Sequence, residues 1–292
     1  MTDTVLWIDQ CIGIHVKILN PQKNCLIVGF DSAWTDNPKS PGAISALGFN
    51  ALGEVNFFEP GLKSFDGAFE WIERQRKDYK LCLIAIDQPT IVPNLTGSRM
   101  ADRVAGSVVS FIGGGVQPAN RSKVGMFDDD APIWKFLDRL DGHSTSIYQS
   151  RIAESGIYVI EVFPALSLPA LNPNFNKRSG APKYNPANRK KFKPEHWKEV
   201  LNTVRQVSDT FSLSQLVAWV DNFEKVQEPK KHHQDMLDSI ICVLIGLLWR
   251  AGQENDSIVI GDEREGYIIA ASSNETRERL TIAGQKLGVT VR

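Results

Sequence analysis

Short apolar runs that end on a single acid alternate along this chain with stretches whose apolar residues recur at helical spacing. Residues 25–30 carry no charge and are closed by Asp31. Residues 42–48 and 55–58 read as two more short strands with a turn at Leu52 and Gly53 between them, so the three predict an antiparallel meander. Residues 65–76 set Phe65, Ala68, Phe69 and Ile72 on one helical face. Residues 81–86 are a second uncharged run, closed by Asp87. A helix is predicted over 100–111, broken by the glycines at 113–115, and another starts over 132–140. Residues 158–162 form a strand closed by Pro164, residues 197–223 a mostly amphipathic helix, 235–251 an apolar helix and 267–271 a last strand. No internal repeat interrupts this order.

A meander followed by alternating helices and strands matches the ribonuclease H-like layout, an α/β class with a mixed sheet (antiparallel meander plus parallel strands) flanked by helices. Periodicity alone supports α/β, one domain with an insertion. The expected division is an N-terminal extension at 1–24, the domain at 25–272 with a basic insertion around 173–198, and a C-terminal tail at 273–292.

The 42% apolar content suffices for a substantial core. Lys and Arg number 33 against 34 Asp and Glu, so no global basic excess advertises nucleic acid, although charge can be segregated locally. Cys11, Cys25, Cys82 and Cys242 are scattered without metal-site spacing and read as reduced core thiols of a cytoplasmic protein. Asp3 and Asp9 stand where a signal peptide has a basic segment and an apolar core. The longest apolar run, residues 239–249, is shorter than the ~20 residues that span a bilayer, so no membrane association is expected.

The acids carry the chemistry. Asp31 and Asp87 each end an apolar run, Glu161 sits inside "YVIEV", and Asp235 and Asp238 share one face at the front of an apolar helix. Burying an unpaired carboxylate costs several kcal/mol unless it is paired, hydrogen-bonded or bound to metal. Oxygen donors of this kind suit Mg2+ or Mn2+. Two such ions about 4 Å apart can clamp both the attacking and the leaving oxygen of a phosphodiester. Each acid alone also admits a plainer role. Asp87 before Gln88 and Pro89 can open a turn, and Asp31 can be a turn or cap residue. Glu161 can pair with an arginine, and Asp235 and Asp238 can cap a helix and favour its dipole.

"VGFDSAW", "IAIDQP", "RMADR", "VIEVFPA", "DMLDSIICVLIGLLW" and "GDEREGYIIA" together resemble the family numbered 429 among domains of unknown function (DUF429), regarded as predicted nucleases of the ribonuclease H-like superfamily. The resemblance runs from about Val28 to Ala271. It implies an acidic active site. Asp31 would be the first-strand aspartate, Asp87 that of the isoleucine-aspartate-x-proline motif and Glu161 that of glutamate-x-x-proline. Asp235 and Asp238 would be the late-helix acids, a pair that also resembles the carboxylates of Holliday-junction resolvases. Residues 1–24 have no counterpart, the first motif lacks the glycine and cysteine many members carry after the aspartate, and the basic stretch after Pro173 reads as an insertion.

Candidate phosphate contacts are Arg99 and Arg103, which lie i, i+4 if helical, Arg121 in the glycine-rich loop at 113–125, and Lys230 and Lys231 just before Asp235. Arg99 and Arg103 can instead pair with Asp102. The loop at 113–125 is not of the Walker type, since no GxxxxGK[ST] occurs. His232 or His233 can shuttle protons or can merely belong to a linker. Residues 177–198 hold eight Lys or Arg against Glu195, with Tyr184, Phe192 and Trp197 interleaved, a composition that suits phosphates and exposed bases or a solvated insertion. The expectation is therefore a metal-dependent nuclease acting on DNA or RNA. The alternatives are a kinase-like ATPase of a related fold, for which no duplicated strand–turn pattern is found, and a non-catalytic nucleic-acid-binding protein.

Overall fold

Strand β1 (Cys25–Asp31) is buried along all but its last residue in the computed structural model, which describes residues 22–292. Its side chains alternate as a strand requires: Cys25 and Ile27 enter one core cluster, while Leu26, Val28 and Phe30 enter another. Strand β2 (Gly42–Phe49) pairs antiparallel with β1, and β3 (Val55–Lys63) pairs antiparallel with β2, which is the expected meander. Helix α1 (Phe65–Gln75) then leads to β4 (Leu81–Ile86), parallel to β1 and again split between the two clusters. A strand covered on both faces has no solvent side, which is why these runs hold no charge until they end.

Helices α2 (Met100–Phe111) and α3 (Pro132–Arg139), the short β5 (His143–Ser144) and α4 (Ile147–Ile152) precede β6 (Gly156–Glu161). β6 is parallel to β4 and completes a mixed six-stranded sheet of order β3-β2-β1-β4-β6-β5. After α5 (Pro164–Leu171), α6 (Pro194–Thr210) and α7 (Ser214–Phe223), helix α8 (Lys231–Ala251) crosses one face of the sheet, while α1 and α3 cover the other. α8 lies so close that a Cβ on Gly29 would stand 2.0 Å from the Ser239 carbonyl oxygen. Ser45 and Ser239 hydroxyls meet across the same contact at 3.1 Å, buried.

A hairpin of β7 (Ser257–Asp262) and β8 (Gly266–Ala271) packs with α2 and α9 (Asn274–Leu287) around a third cluster. A parallel bridge between Val162 and Ile269 ties the hairpin to the main sheet.

Two expectations are corrected. Residues 273–292, read as a tail, contain α9, capped by the Ser273 hydroxyl, and Val291 bridges back to Ile260. The single helix expected over 197–223 is two, because Ser212 takes a left-handed turn with φ of 57° between α6 and α7. The expected last strand forms as β8, and β7, which the sequence did not announce, pairs with it as a hairpin. The extension at 1–24 lies almost wholly outside the described residues. Among the described residues, no helix is long and apolar enough to cross a membrane, and Cys25, Cys82 and Cys242 are buried free thiols.

Candidate functional site

The carboxyl ends of three neighbouring parallel strands stop at one level. Phe30 of β1 is in register with Ile86 of β4, and Ile86 with Glu161 of β6. Asp31 closes β1, and Asp87 follows β4 with its backbone N–H donating to the Phe30 carbonyl at 2.9 Å. α8 is laid against these ends so that Asp235 and Asp238, both buried, approach from its first two turns. Asp31, Asp235 and Lys231 line one cleft of about 360 Å³ with Ser32 and Trp34. The loops after β1 and β4 are braced to each other: Ser32 Oγ donates to Gln88 Oε1 at 2.6 Å and Trp34 Nε1 to the Asp87 carbonyl at 2.9 Å.

Crowded charge sets the electrostatics of this edge. Burial first, then the carboxylates of Asp238 and Asp87, hold Asp31 well above the ordinary carboxylate range. Burial, then Asp238 and Glu161, do the same to Asp87. Asp238 is pushed up to about 6 by burial, with the Tyr184 hydroxyl and Lys231 pulling the other way. Asp238 has named partners: Tyr184 donates to Oδ1 at 2.7 Å and Gln234 Nε2 to Oδ2 at 2.9 Å. Asp235 pairs with the Lys231 ammonium. Among the described residues, no hydrogen-bond donor reaches the carboxylate of Asp31 or Asp87. Beside them, Gln88 Nε2 and Thr90 Oγ1 are buried without a partner. Among the described residues, no group of three His, Cys, Asp or Glu already stands in an arrangement that would hold a metal ion.

Of the remaining predicted residues, Lys231 joins this cluster and most of the others are engaged elsewhere. Glu161 is spent on Arg99, which reaches both of its oxygens at 2.5 and 2.7 Å. Arg99, expected to meet phosphate, is instead 2% exposed, and its guanidinium also grips Asp102 at 2.7 Å. The pairing with Asp102 weighed from the sequence therefore forms, but in the interior and with Glu161 as a third member. Arg103 is exposed on α2 beside the Met100 sulfur, so the i, i+4 pair presents no twin cation. Arg121 is engaged by Asp129 and lies over the Trp134 ring at 4.9 Å. Lys230 is exposed, and Lys231 turns toward the acids. His232 and His233 bond each other, Nε2 to Nε2 at 3.1 Å, while His233 Nδ1 accepts the Lys230 N–H at 2.9 Å. Sequence reasoning missed Tyr184 as a member of the acid cluster; its one signal was an aromatic hydroxyl inside a basic stretch.

An α/β sheet with buried and half-buried acids gathered at its parallel strand ends, where ligands collect in open sheets, defines the class of this protein. Within that class the chain belongs to the family described as "Protein of unknown function (DUF429)", whose model matches residues 61–264 and so takes in Asp87, Glu161, Asp235 and Asp238 but not Asp31. No curated protein matches the chain, and no solved structure does.

Proposed function

We propose that this chain is a divalent-metal-dependent nuclease of the ribonuclease H-like kind, hydrolysing phosphodiester bonds of DNA or RNA. The observation that carries the reading is the meeting of Asp31, Asp87 and Asp238, supplied by β1, the end of β4 and α8, with two of the three carboxylates lacking any described hydrogen-bond donor. Such a cluster is unfavourable as it stands. The all-oxygen donor set suits Mg2+ or Mn2+, and the partnerless Gln88 amide beside it is a donor awaiting an acceptor. The sheet order β3-β2-β1-β4-β6 supports the fold assignment.

Asp31, Asp87 and Asp238 would hold the ion, with Asp235 at the cleft edge. A bound ion would supply charge stabilisation at the phosphate and a more acidic water. Lys231 now neutralises part of the cluster through Asp235, so a bound ion would compete with its ammonium for the acids, and a displaced ammonium would be placed to meet substrate phosphate. Tyr184 orients Asp238 by its hydroxyl. Glu161 and Arg99 position the loop that bears Asp87.

The second reading, a nucleic-acid-binding protein without catalysis, is favoured by one observation: Lys231 already serves as an internal counter-ion. Cleavage of labelled single-stranded and duplex substrates in Mn2+ separates the two. The nuclease reading expects wild-type cleavage, and loss of about a hundredfold or more in Asp31→Asn with binding kept within about twofold. Equal cleavage by Asp31→Asn, or none by either protein, overturns it.

A further inference from the structure

The acid cleft shares Lys231 with a second, larger cleft of about 610 Å³. One wall of that second cleft is the turn at residues 185–192. The turn is fixed by its own hydrogen bonds: Asn185 Oδ1 accepts from the Ala187 N–H at 2.9 Å, and the Asn188 carbonyl from the Phe192 N–H at 2.8 Å. The other wall is the segment at 227–231 that enters α8. Pro186, Phe192 and Pro229 give it apolar surface, and Arg189, Lys230 and Lys231 give it positive charge against one acid, Glu228. Phe192 is partly buried against the main core, so its ring is held in place.

This charge is local. The whole chain carries a net charge of -1, yet Arg189 and Lys230, besides the Lys231 that pairs with Asp235, face one acid here. Fixed apolar rings beside cations bind a flexible strand, because every base has a face to stack and every linkage a phosphate to neutralise. A duplex keeps its base faces inside the stack and has none to offer a concave wall. The volume falls in the ordinary range for a small-molecule site, about 300–1,000 Å³, which suits a nucleotide or two.

We infer that this second cleft is a subsite for single-stranded nucleic acid, with a base against Pro186, Phe192 and Pro229 and backbone phosphates on Arg189 and Lys230. The strand then passes Lys231 to reach the acids. The inference rests on the nuclease reading only for what happens at those acids.

Fluorescence anisotropy tests it, using a labelled oligothymidylate of about a dozen nucleotides, an oligouridylate of equal length and a duplex of the same length, all in EDTA so that binding is read apart from hydrolysis. Single strands are expected to bind at least about tenfold tighter than duplex. Arg189→Ala with Lys230→Ala, two exposed positions, is expected to weaken single-strand binding about tenfold and to flatten the salt dependence by about one to two in slope. Phe192→Leu should weaken it about fivefold with the salt slope unchanged. Duplex binding as tight as single strand, or a double variant that binds like wild type, overturns the subsite. Single-strand binding as described without cleavage in Mn2+ upholds the subsite and sinks the nuclease reading. Cleavage by wild type alongside unaltered binding by the double variant does the reverse.

Discussion

Arg99 donates to both carboxylate oxygens of Glu161, Nη2 to Oε1 at 2.5 Å and Nη1 to Oε2 at 2.7 Å, in the interior of the protein. The same guanidinium donates to the Ile91 carbonyl at 3.0 Å, and Glu161 accepts the Thr90 N–H at 3.3 Å. Asp102, the third member, accepts the Ala119 N–H at 3.2 Å. The acid that ends β6 thus anchors the segment after Asp87 and, through Asp102, the loop at 113–131.

Removing Arg99 therefore leaves two buried carboxylates without their cation. Arg99→Met is expected to destabilise the fold by about 3–5 kcal/mol, read from urea denaturation. A loss below about 0.5 kcal/mol would show that the trio anchors nothing. Glu161→Gln adds a sharper test. With the carboxylate spent on Arg99, Mn2+ affinity should fall by only about tenfold, the effect of a group that positions the Asp87 loop, and a drop of well over about a hundredfold would return Glu161 to the ligand set.

The crowded acids give the metal-free protein an unusual pH dependence. The folded protein favours the protonated forms of Asp31, Asp87 and Asp238, since all three are held above their ordinary values. Their contribution is full below the ordinary carboxylate range and is lost as pH rises through the raised values, for Asp238 through about 6. In EDTA the melting temperature should be higher at about pH 5 than at about pH 8, and Mg2+ should remove most of the difference. Asp31→Asn and Asp87→Asn should each raise the metal-free midpoint at neutral pH by about 2–4 °C, since a neutral isostere removes the repulsion. Asparagine variants less stable than wild type in EDTA would mean that these carboxylates are already well satisfied.

Lys231 is the cation beside these acids, and it is close to half exposed, with 44% of its side chain accessible. It gains from Asp31, Asp235 and Asp238, so its own ammonium is held above its usual value against the opposing effect of burial. An internal counter-ion competes with an external one. Lys231→Met should lower metal-free stability at neutral pH yet tighten Mn2+ binding about tenfold, measured by titration calorimetry. Unchanged or weaker affinity would show that the ammonium does not occupy the ion's place.

The sequence was most legible where one physical rule dominated. The uncharged runs of β1 and β4 are buried on both faces, so their composition announced them, and the acids that close them marked the sheet edge. α9 was illegible because it buries Thr276, Leu280 and Gly284, a seam with one large apolar residue. Glu161 and Arg99 were each singled out as candidates, but their partnership joins positions sixty-two residues apart, and spacing carries no signal of that. Tyr184 was hidden similarly: its hydroxyl meets Asp238 only because the basic stretch folds back over α8.

The closeness of α8 to β1 decides whether Asp238 can stand beside Asp31 at all. A Cβ on Gly29 would lie 2.0 Å from the Ser239 carbonyl oxygen and 2.6 Å from the Val243 backbone nitrogen, and backbone atoms cannot rotate away. Gly29→Ala should push α8 off the sheet, at a cost of about 1–3 kcal/mol or more. Gly61, in β3, has nothing within 4 Å of the same added atom, so Gly61→Ala should change stability by less than about 0.5 kcal/mol. Because Ser239 follows Asp238, the displacement moves one acid relative to the other, and Gly29→Ala should also weaken Mn2+ binding by about tenfold or more, whereas Gly61→Ala should not. A Gly29→Ala protein that melts and binds Mn2+ like wild type would mean that this helix does not set the spacing of the acids.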